Sequence, residues 1–245
     1  MFRSRRIFDE STPQNRNAVA SAAALFAERI PELGPSYLAQ LPERLRAPDR
    51  YGFKTMLIVV ESARGRVLAA ALLSLHDQQR FAYLDAIATA SAKSHSDKRR
   101  AFASSHSPIH IEPDAQPLDV RPVPESIRSA SLPAVGPVRG GIGQALYTRV
   151  REEALSVGAV GVVFYANSDN PAHRASEAEL EEAQARLRFY ERFGARPVDD
   201  QDRTGLVFDD LGRGVLPTLA HWRDIVRAIL ERHYPDSLTP ADLGD

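Results

Sequence analysis

Three strand-like runs that follow one another almost without interruption limit the folds open to this chain. The runs cover residues 55–61, 66–76 and 81–89, and each consists mainly of apolar residues. The turns between them, at 63–65 and 77–79, are far shorter than the dozen or more residues, roughly, that a crossover between parallel strands needs. The sequence therefore predicts an antiparallel meander, which excludes an all-helical fold.

Helices and further strands are predicted on both sides of the meander. Apolar residues recur there at helical spacing or in short runs, and cap, proline and glycine residues separate the segments. Before the meander the prediction is a strand at 2–8 and helices at 17–30 and 37–45. After it come a helix at 142–156, a strand at 160–166, a helix at 178–193, a strand at 205–209 and a helix at 216–232.

Residues 90–137 differ in composition from the segments around them. They are dense in serine, proline and charged residues and keep no helical or strand period. A connection this long inside a domain is usually a lid, a binding loop or a disordered insert. We therefore predict one domain at 1–210 that carries a flexible insertion at 90–137, followed by a C-terminal helix and tail at 211–245.

Composition excludes several classes of function. The 31 Lys and Arg residues against 32 Asp and Glu give a formal net charge of −1, so no surplus of cations supports binding to nucleic acid or an anionic membrane. The absence of cysteine excludes a thiolate nucleophile, an iron–sulfur cluster and cysteine-ligated zinc. No apolar run approaches the roughly 20 residues that span a bilayer, and we find no secretory signal, so we expect a cytoplasmic protein.

Three glycines in four positions, Gly140, Gly141 and Gly143, stand at the start of the predicted helix at 142–156. Glycines let the backbone approach a ligand closely, and the unpaired N–H groups at the start of a helix bind anions such as phosphate. Taken alone, the glycines fit a simple cap of an amphipathic helix equally well. Neither the dinucleotide-binding fingerprint nor the P-loop pattern is present.

Together with a second segment, the glycine loop resembles the GNAT superfamily of acyl-CoA-dependent N-acyltransferases. That segment, Tyr-Glu-Arg-Phe-Gly-Ala at 190–195, matches the family pattern Tyr-Glu-Lys/Arg-x-Gly-Phe/Ala. The family's order is a strand, two helices, three antiparallel strands, then helix, strand, helix and strand. The resemblance covers about residues 1–210 apart from the insertion. It implies an α/β fold with a mixed, mostly antiparallel sheet flanked by helices and a long insertion before the third helix.

The resemblance also implies a binding site for the coenzyme A part of an acyl-CoA. The pantetheine arm would lie along the splayed edge of the strand at 81–89, against Ile87 and Ala88, and Asn167 would contact pantetheine or substrate. One residue departs from the family pattern, because Val138 stands where the family has Arg or Gln. The pyrophosphate would be bound by the loop residues Arg139, Gly140, Gly141, Ile142, Gly143, Gln144 and Ala145.

Tyr190 is the first candidate for catalysis. In the family, the matching tyrosine protonates the departing CoA thiolate. A phenol, with an ordinary pKa of about 10, is protonated at neutral pH and can donate to a developing anion. The alternative is that Tyr190 is an aromatic packing residue of an amphipathic helix.

Asp85 is the candidate base, because an attacking amine must lose a proton. An acid inside an apolar strand needs a reason, and the alternative is that Asp85 pairs with an arginine. A water molecule is the alternative base. Strict alternation along the strand predicts two sets of side chains on opposite faces: Asp85, Ile87 and Thr89 on one, and Leu84, Ala86 and Ala88 on the other.

The predicted activity is transfer of an acetyl group from acetyl-CoA to a primary amine, on a small molecule or a peptide, by direct attack in a ternary complex. No metal is expected, since Pro108 separates His106 and His110 in a polar loop. The alternative is a non-catalytic acyl-CoA-binding regulatory module. Residues 51–61, 145–154 and 185–197 resemble GNAT domains that precede a deacetylase-like domain in some bacterial proteins. Nucleic acid and membrane partners are not expected, and a homodimer is compatible with the sequence.

Overall fold

The structure, a computed structural model, describes residues 2–90, 141–166, 176–198, 206–214 and 216–233. Its strands are β1 (Phe2–Ile7), β2 (Lys54–Ser62), β3 (Val67–His76), β4 (Phe81–Thr89), β5 (Gly161–Tyr165), β6 (Arg196–Pro197) and β7 (Leu206–Asp209). Its helices are α1 (Pro13–Arg29), α2 (Gly34–Ala39), α3 (Leu41–Arg46), α4 (Pro48–Tyr51), α5 (Ile142–Ser156), α6 (Glu177–Glu191) and α7 (Leu219–His233), with a short 3-10 turn at Pro31–Leu33.

All seven strands form one sheet in the order β1-β2-β3-β4-β5-β7-β6. Five of the neighbouring pairs are antiparallel, and β2, β3 and β4 form the predicted meander. Only β4 and β5 pair in parallel, because the chain returns to the sheet through the crossover helix α5. The prediction of a mixed, mostly antiparallel sheet is confirmed.

Local sequence explains where the first helices begin and end. Thr12 caps α1, since its side-chain oxygen accepts a hydrogen bond from the backbone N–H of Asn15 at 3.1 Å. The segment at 37–45 was predicted as one helix, and the structure divides it into α2 and α3. Pro42, at the start of α3, explains the division, because proline fits the first turn of a helix but not its interior.

Helices cover both faces of the sheet. On the first face, α5 and α6 pack on β2, β3, β4 and β5 through side chains such as Leu146, Leu187 and Tyr190. On the second face, α1 covers β2, β3 and the end of β4. Beside it, α7 covers β4, β5 and β7, and Trp222 packs edge-on against Phe208. On this second face, Asp85 lies between the area that α1 covers and the area that α7 covers.

The order of elements is the one that the GNAT resemblance implied, except that the short helices α2, α3 and α4 stand in place of the second helix, β6 precedes the last strand and α7 follows it. The predicted bounds 81–89 and 142–156 match β4 and α5. Most of the predicted insertion lies outside the described residues. In the part of the chain that the structure describes, no helix has the length and apolar character needed to cross a membrane.

Candidate active site

The start of α5 offers backbone N–H groups to a ligand. Gly141 lies at the N-cap with φ 72°, in the left-handed region that favours glycine, and no described side chain caps the helix. The N–H of Ala145 bonds to the carbonyl of Gly141 at 2.8 Å and closes the first turn. The N–H groups of Ile142, Gly143 and Gln144 therefore have no acceptor inside the helix.

Three of the predicted binding residues, Arg139, Gly140 and Asn167, lie outside the described residues. So do His106 and His110. Among the side chains that are described, no group of three potential metal ligands comes together.

The edge of β4 leaves β5 halfway along its length. The parallel pairing runs from Phe81 opposite Gly161 to Leu84 opposite Phe164. Beyond that point β4 continues to Thr89 and pairs with β3, where Ile87 lies opposite Ala71 and Ala88 opposite Ala70. On the other side, no described strand pairs with Ile87 or Ala88. Such an edge presents N–H and C=O groups to an extended ligand that carries amides.

A β-bulge at Asp85 marks the point of separation. In β3, Leu73 lies opposite Leu84 and Leu72 opposite Ala86, so Asp85 is an extra residue in β4. The predicted alternation is therefore wrong in this strand. Leu84 and Ile87 both face α5 and α6, whereas Asp85 lies with Ala86 and Ala88 on the opposite face. The extra residue reverses the odd and even positions after it.

The Asp85 carboxylate is held by donors from three elements. Ser74 on β3 donates to it at 2.5 Å, Tyr37 on α2 at 2.7 Å and the Arg44 guanidinium on α3 at 3.1 Å. Arg44 and Asp85 are both buried, and the guanidinium also stacks on the rings of Tyr37 and Phe53. The structure thus shows the alternative in which Asp85 pairs with an arginine, and its role as a base stays a prediction.

Tyr190 is fully buried on α6, and its hydroxyl has no hydrogen-bond partner among the described residues. Its ring lies 4.5 Å from the ring of Phe164 and 4.9 Å from that of Tyr147. Burial raises the pKa of the Tyr190 hydroxyl above its ordinary value, and the nearby charge of Arg186 lowers it by less. The phenol is therefore protonated at neutral pH and able to donate a hydrogen bond.

Phe164 connects Tyr190 with the open edge of β4. It is the residue of β5 that lies opposite Leu84 in the last pair before the strands separate. The ring of Tyr190 packs against Phe164 at a tilt and thus lies next to the beginning of that edge on the first face of the sheet. Asp85 lies at the same level on the second face. Tyr147, which packs against Tyr190, belongs to α5, the helix whose N-cap is Gly141.

Several residues at the site could not be identified from the sequence. Arg44, Tyr37 and Ser74 meet Asp85 from 41, 48 and 11 positions away along the chain, and no motif links them. Arg186 was detectable in principle, because it precedes Tyr190 by one helical turn and shares its face of α6.

Comparison with known proteins gives matches among solved structures only. No family model matches the sequence, and no curated protein matches it. The catalytic domain of the Tetrahymena GCN5 histone acetyltransferase in complex with coenzyme A is 11% identical, with a TM-score of 0.47 over 88% of this chain and 96% of that one.

Two bacterial structures also match. A GNAT family acetyltransferase from Brucella melitensis in complex with acetyl-CoA is 14% identical, with a TM-score of 0.44 over 89% of this chain and 92% of that one. The GNAT family N-acetyltransferase YhbS from Escherichia coli in complex with CoA is 13% identical, with a TM-score of 0.42 over 91% of each chain. Apart from the additions named above, the order of elements along this chain is the order that the GNAT resemblance implied.

Proposed function

We propose that the protein is an acyl-CoA-dependent N-acyltransferase that moves an acetyl group from acetyl-CoA to a primary amine of a small molecule or peptide. The observation that carries this proposal is the buried, unpartnered hydroxyl of Tyr190, whose ring packs against Phe164 at the point where β4 leaves β5. A buried polar group without a partner is costly, so a ligand that accepts its hydrogen bond accounts for its position. A soluble acyl-CoA substrate is consistent with a cytoplasmic enzyme.

The described residues fit acetyl-CoA at three places. The N–H groups at the start of α5 suit a pyrophosphate, and the edge of β4 at Ile87 and Ala88 suits the amides of pantetheine. The Tyr190 hydroxyl suits the sulfur of the thioester. Acetyl-CoA supplies the activated acyl group, and the protein binds it and aligns it with the amine.

The reaction needs one proton donor and one proton acceptor. The amine nitrogen forms a bond to the carbonyl carbon of the thioester, the bond from that carbon to sulfur breaks, and sulfur keeps the electron pair. Tyr190 donates its phenolic proton to the sulfur. The proton lost by the amine nitrogen leaves through a base, and it restores the phenol at the end of the cycle.

Of the two candidate bases, we favour a water molecule over Asp85. A carboxylate that accepts from Ser74, Tyr37 and Arg44 is stabilised in its ionised form. Proton uptake by Asp85 would break a buried ion pair. We assign Asp85 instead to holding the bulge of β4, which sets where the open edge begins.

Gly141→Ala should weaken the binding of acetyl-CoA at least about tenfold, because a Cβ at this position would stand where the pyrophosphate approaches the backbone. Isothermal titration calorimetry measures the effect. Gly158→Ala is the matched control, since Gly158 has φ 77° and Gly141 has φ 72°, and an added Cβ meets no atom within 4 Å at either. Both variants should lose the same stability. If the two variants bound acetyl-CoA with equal affinity, the loop at Gly141 would not be part of the binding site.

Two measurements on the unaltered protein test the function itself. Acetyl-CoA at a hundredfold excess over its Kd should raise the melting temperature by about 5 to 10 °C. Acetyl transfer to a panel of small amines and of peptides with a free N-terminal amine should release free CoA. Binding without transfer would favour the regulatory module over the enzyme, and the absence of binding would refute both.

A further inference from the structure

Arg186 is a buried arginine whose ion-pair partner among the described residues is an exposed carboxylate. Its side chain is 4% exposed, and Nη2 donates to Oε1 of Glu182 at 2.9 Å. Glu182 lies one turn earlier on α6 and is 55% exposed, so water screens its charge. The other two guanidinium nitrogens, Nε and Nη1, are buried and have no partner among the described residues.

A second buried hydrogen-bond donor without a described acceptor lies on the same face of α6, one turn after Arg186. Residues four apart on a helix lie next to each other, and Tyr190 follows Arg186 at that spacing. The Tyr190 hydroxyl is buried and has no described partner either. Buried guanidinium and hydroxyl groups that lose their water without gaining acceptors destabilise a protein. An acceptor that faces both side chains would satisfy them together.

We propose that Arg186 is a catalytic residue that, together with Tyr190, binds the thioester sulfur of the acyl-CoA and stabilises the thiolate formed when the acyl group leaves. This inference rests on the proposed function and adds a residue to it. The bond from carbon to sulfur breaks with its electron pair on sulfur, Tyr190 supplies the proton, and Arg186 stays protonated throughout. Its positive charge favours the anionic sulfur before the proton arrives.

The charged groups around Arg186 and Tyr190 support a thiolate as the ligand of these two residues. On α5 and β7, Tyr147 donates to Asp209 at 2.8 Å and Arg151 forms an ion pair with the same carboxylate at 3.0 Å, so the charges of Arg151 and Asp209 offset each other. Asp85 and Arg44 pair on the opposite face of the sheet. Among the described groups, Arg186 is therefore the cation close to Tyr190 that lacks a buried anionic partner.

The test compares the binding of CoA with that of desulfo-CoA, which lacks the sulfur atom, between pH 7 and 10. If the bound thiol has a lower pKa than the free thiol, CoA binds more tightly as the pH rises between the two values. The gain is about tenfold for each unit of difference. The ratio of the desulfo-CoA Kd to the CoA Kd isolates the sulfur, because other effects of pH act on both ligands. In the unaltered protein, the ratio of the two Kd values should rise about tenfold between pH 7 and pH 10.

Arg186→Met should keep the affinity for desulfo-CoA and abolish the rise with pH, whereas Arg186→Lys should keep part of it. Arg188→Met, which removes an exposed arginine from the same helix, is the matched control and should behave like the unaltered protein. A flat ratio in the unaltered protein, or an undiminished rise in Arg186→Met, would overturn the inference while leaving acyl-CoA binding intact. Failure of both ligands to bind the unaltered protein would instead overturn the proposed function.

Discussion

Tyr190→Phe should lower the rate of acetyl transfer by about a hundredfold or more, because a positioned general acid typically contributes at least that much. The same change should leave the free energy of unfolding within about 1 kcal/mol of its original value, since the lost hydroxyl has no described partner. Steady-state rates of CoA release and urea unfolding measure the two effects. Acetyl-CoA should still bind.

Tyr147→Phe is the matched control for this prediction. The two rings lie 4.9 Å apart in the same aromatic cluster, but the Tyr147 hydroxyl donates to Oδ2 of the buried Asp209 at 2.8 Å. Its removal should cost about 1–3 kcal/mol of stability. A Tyr190→Phe variant that transfers acetyl at the original rate would refute the role of Tyr190 as the acid. One that loses as much stability as Tyr147→Phe would show that the Tyr190 hydroxyl has a partner within the protein.

Arg44→Met should destabilise the protein by about 3–5 kcal/mol, because it leaves the buried carboxylate of Asp85 without its counter-charge. Tyr37 and Ser74 would still donate hydrogen bonds to it, but neither carries a charge. The midpoint of urea unfolding at neutral pH measures the loss. We expect the double variant Arg44→Met/Asp85→Asn to recover most of it, since that variant has no buried charge to compensate.

Arg50→Met provides the comparison at the surface. Arg50 also pairs with a carboxylate, that of Glu43, but its side chain is 69% exposed. Exposed pairs of this kind typically contribute about 1 kcal/mol or less. A loss at Arg44 as small as the loss at Arg50, or a double variant no more stable than Arg44→Met, would show that an uncompensated Asp85 carboxylate is not the cause of the loss.

Much of the fold follows from periodicity and turn chemistry. The short turns around β3 leave only antiparallel pairing, and the spacing of apolar residues gives α5 its observed bounds. These signals are local, and each lies within one element or between neighbours in the chain. The glycines at the start of α5 are a local signal of the same kind.

The contacts that define the site depend on the tertiary structure and could not be predicted in this way. A bulge is invisible to an alternation rule, so the faces of Asp85 and Ile87 were assigned wrongly. The partners of Asp85 come from α2, α3 and β3, and nothing in their own sequence neighbourhoods singles them out. Strand β6, with two residues, is too short to produce a pattern.

The bulge also bears on how such a site arises in evolution. Without Asp85, residues 81–88 of β4 alternate perfectly: Phe81, Tyr83, Ala86 and Ala88 face one side and Ala82, Leu84 and Ile87 the other. The strand therefore has the pattern of a regular strand with one additional residue. Deletion of Asp85 would leave the other side chains of this set on their present faces. In this chain, the bulged β4 that separates from β5 and a regular β4 therefore differ by one residue.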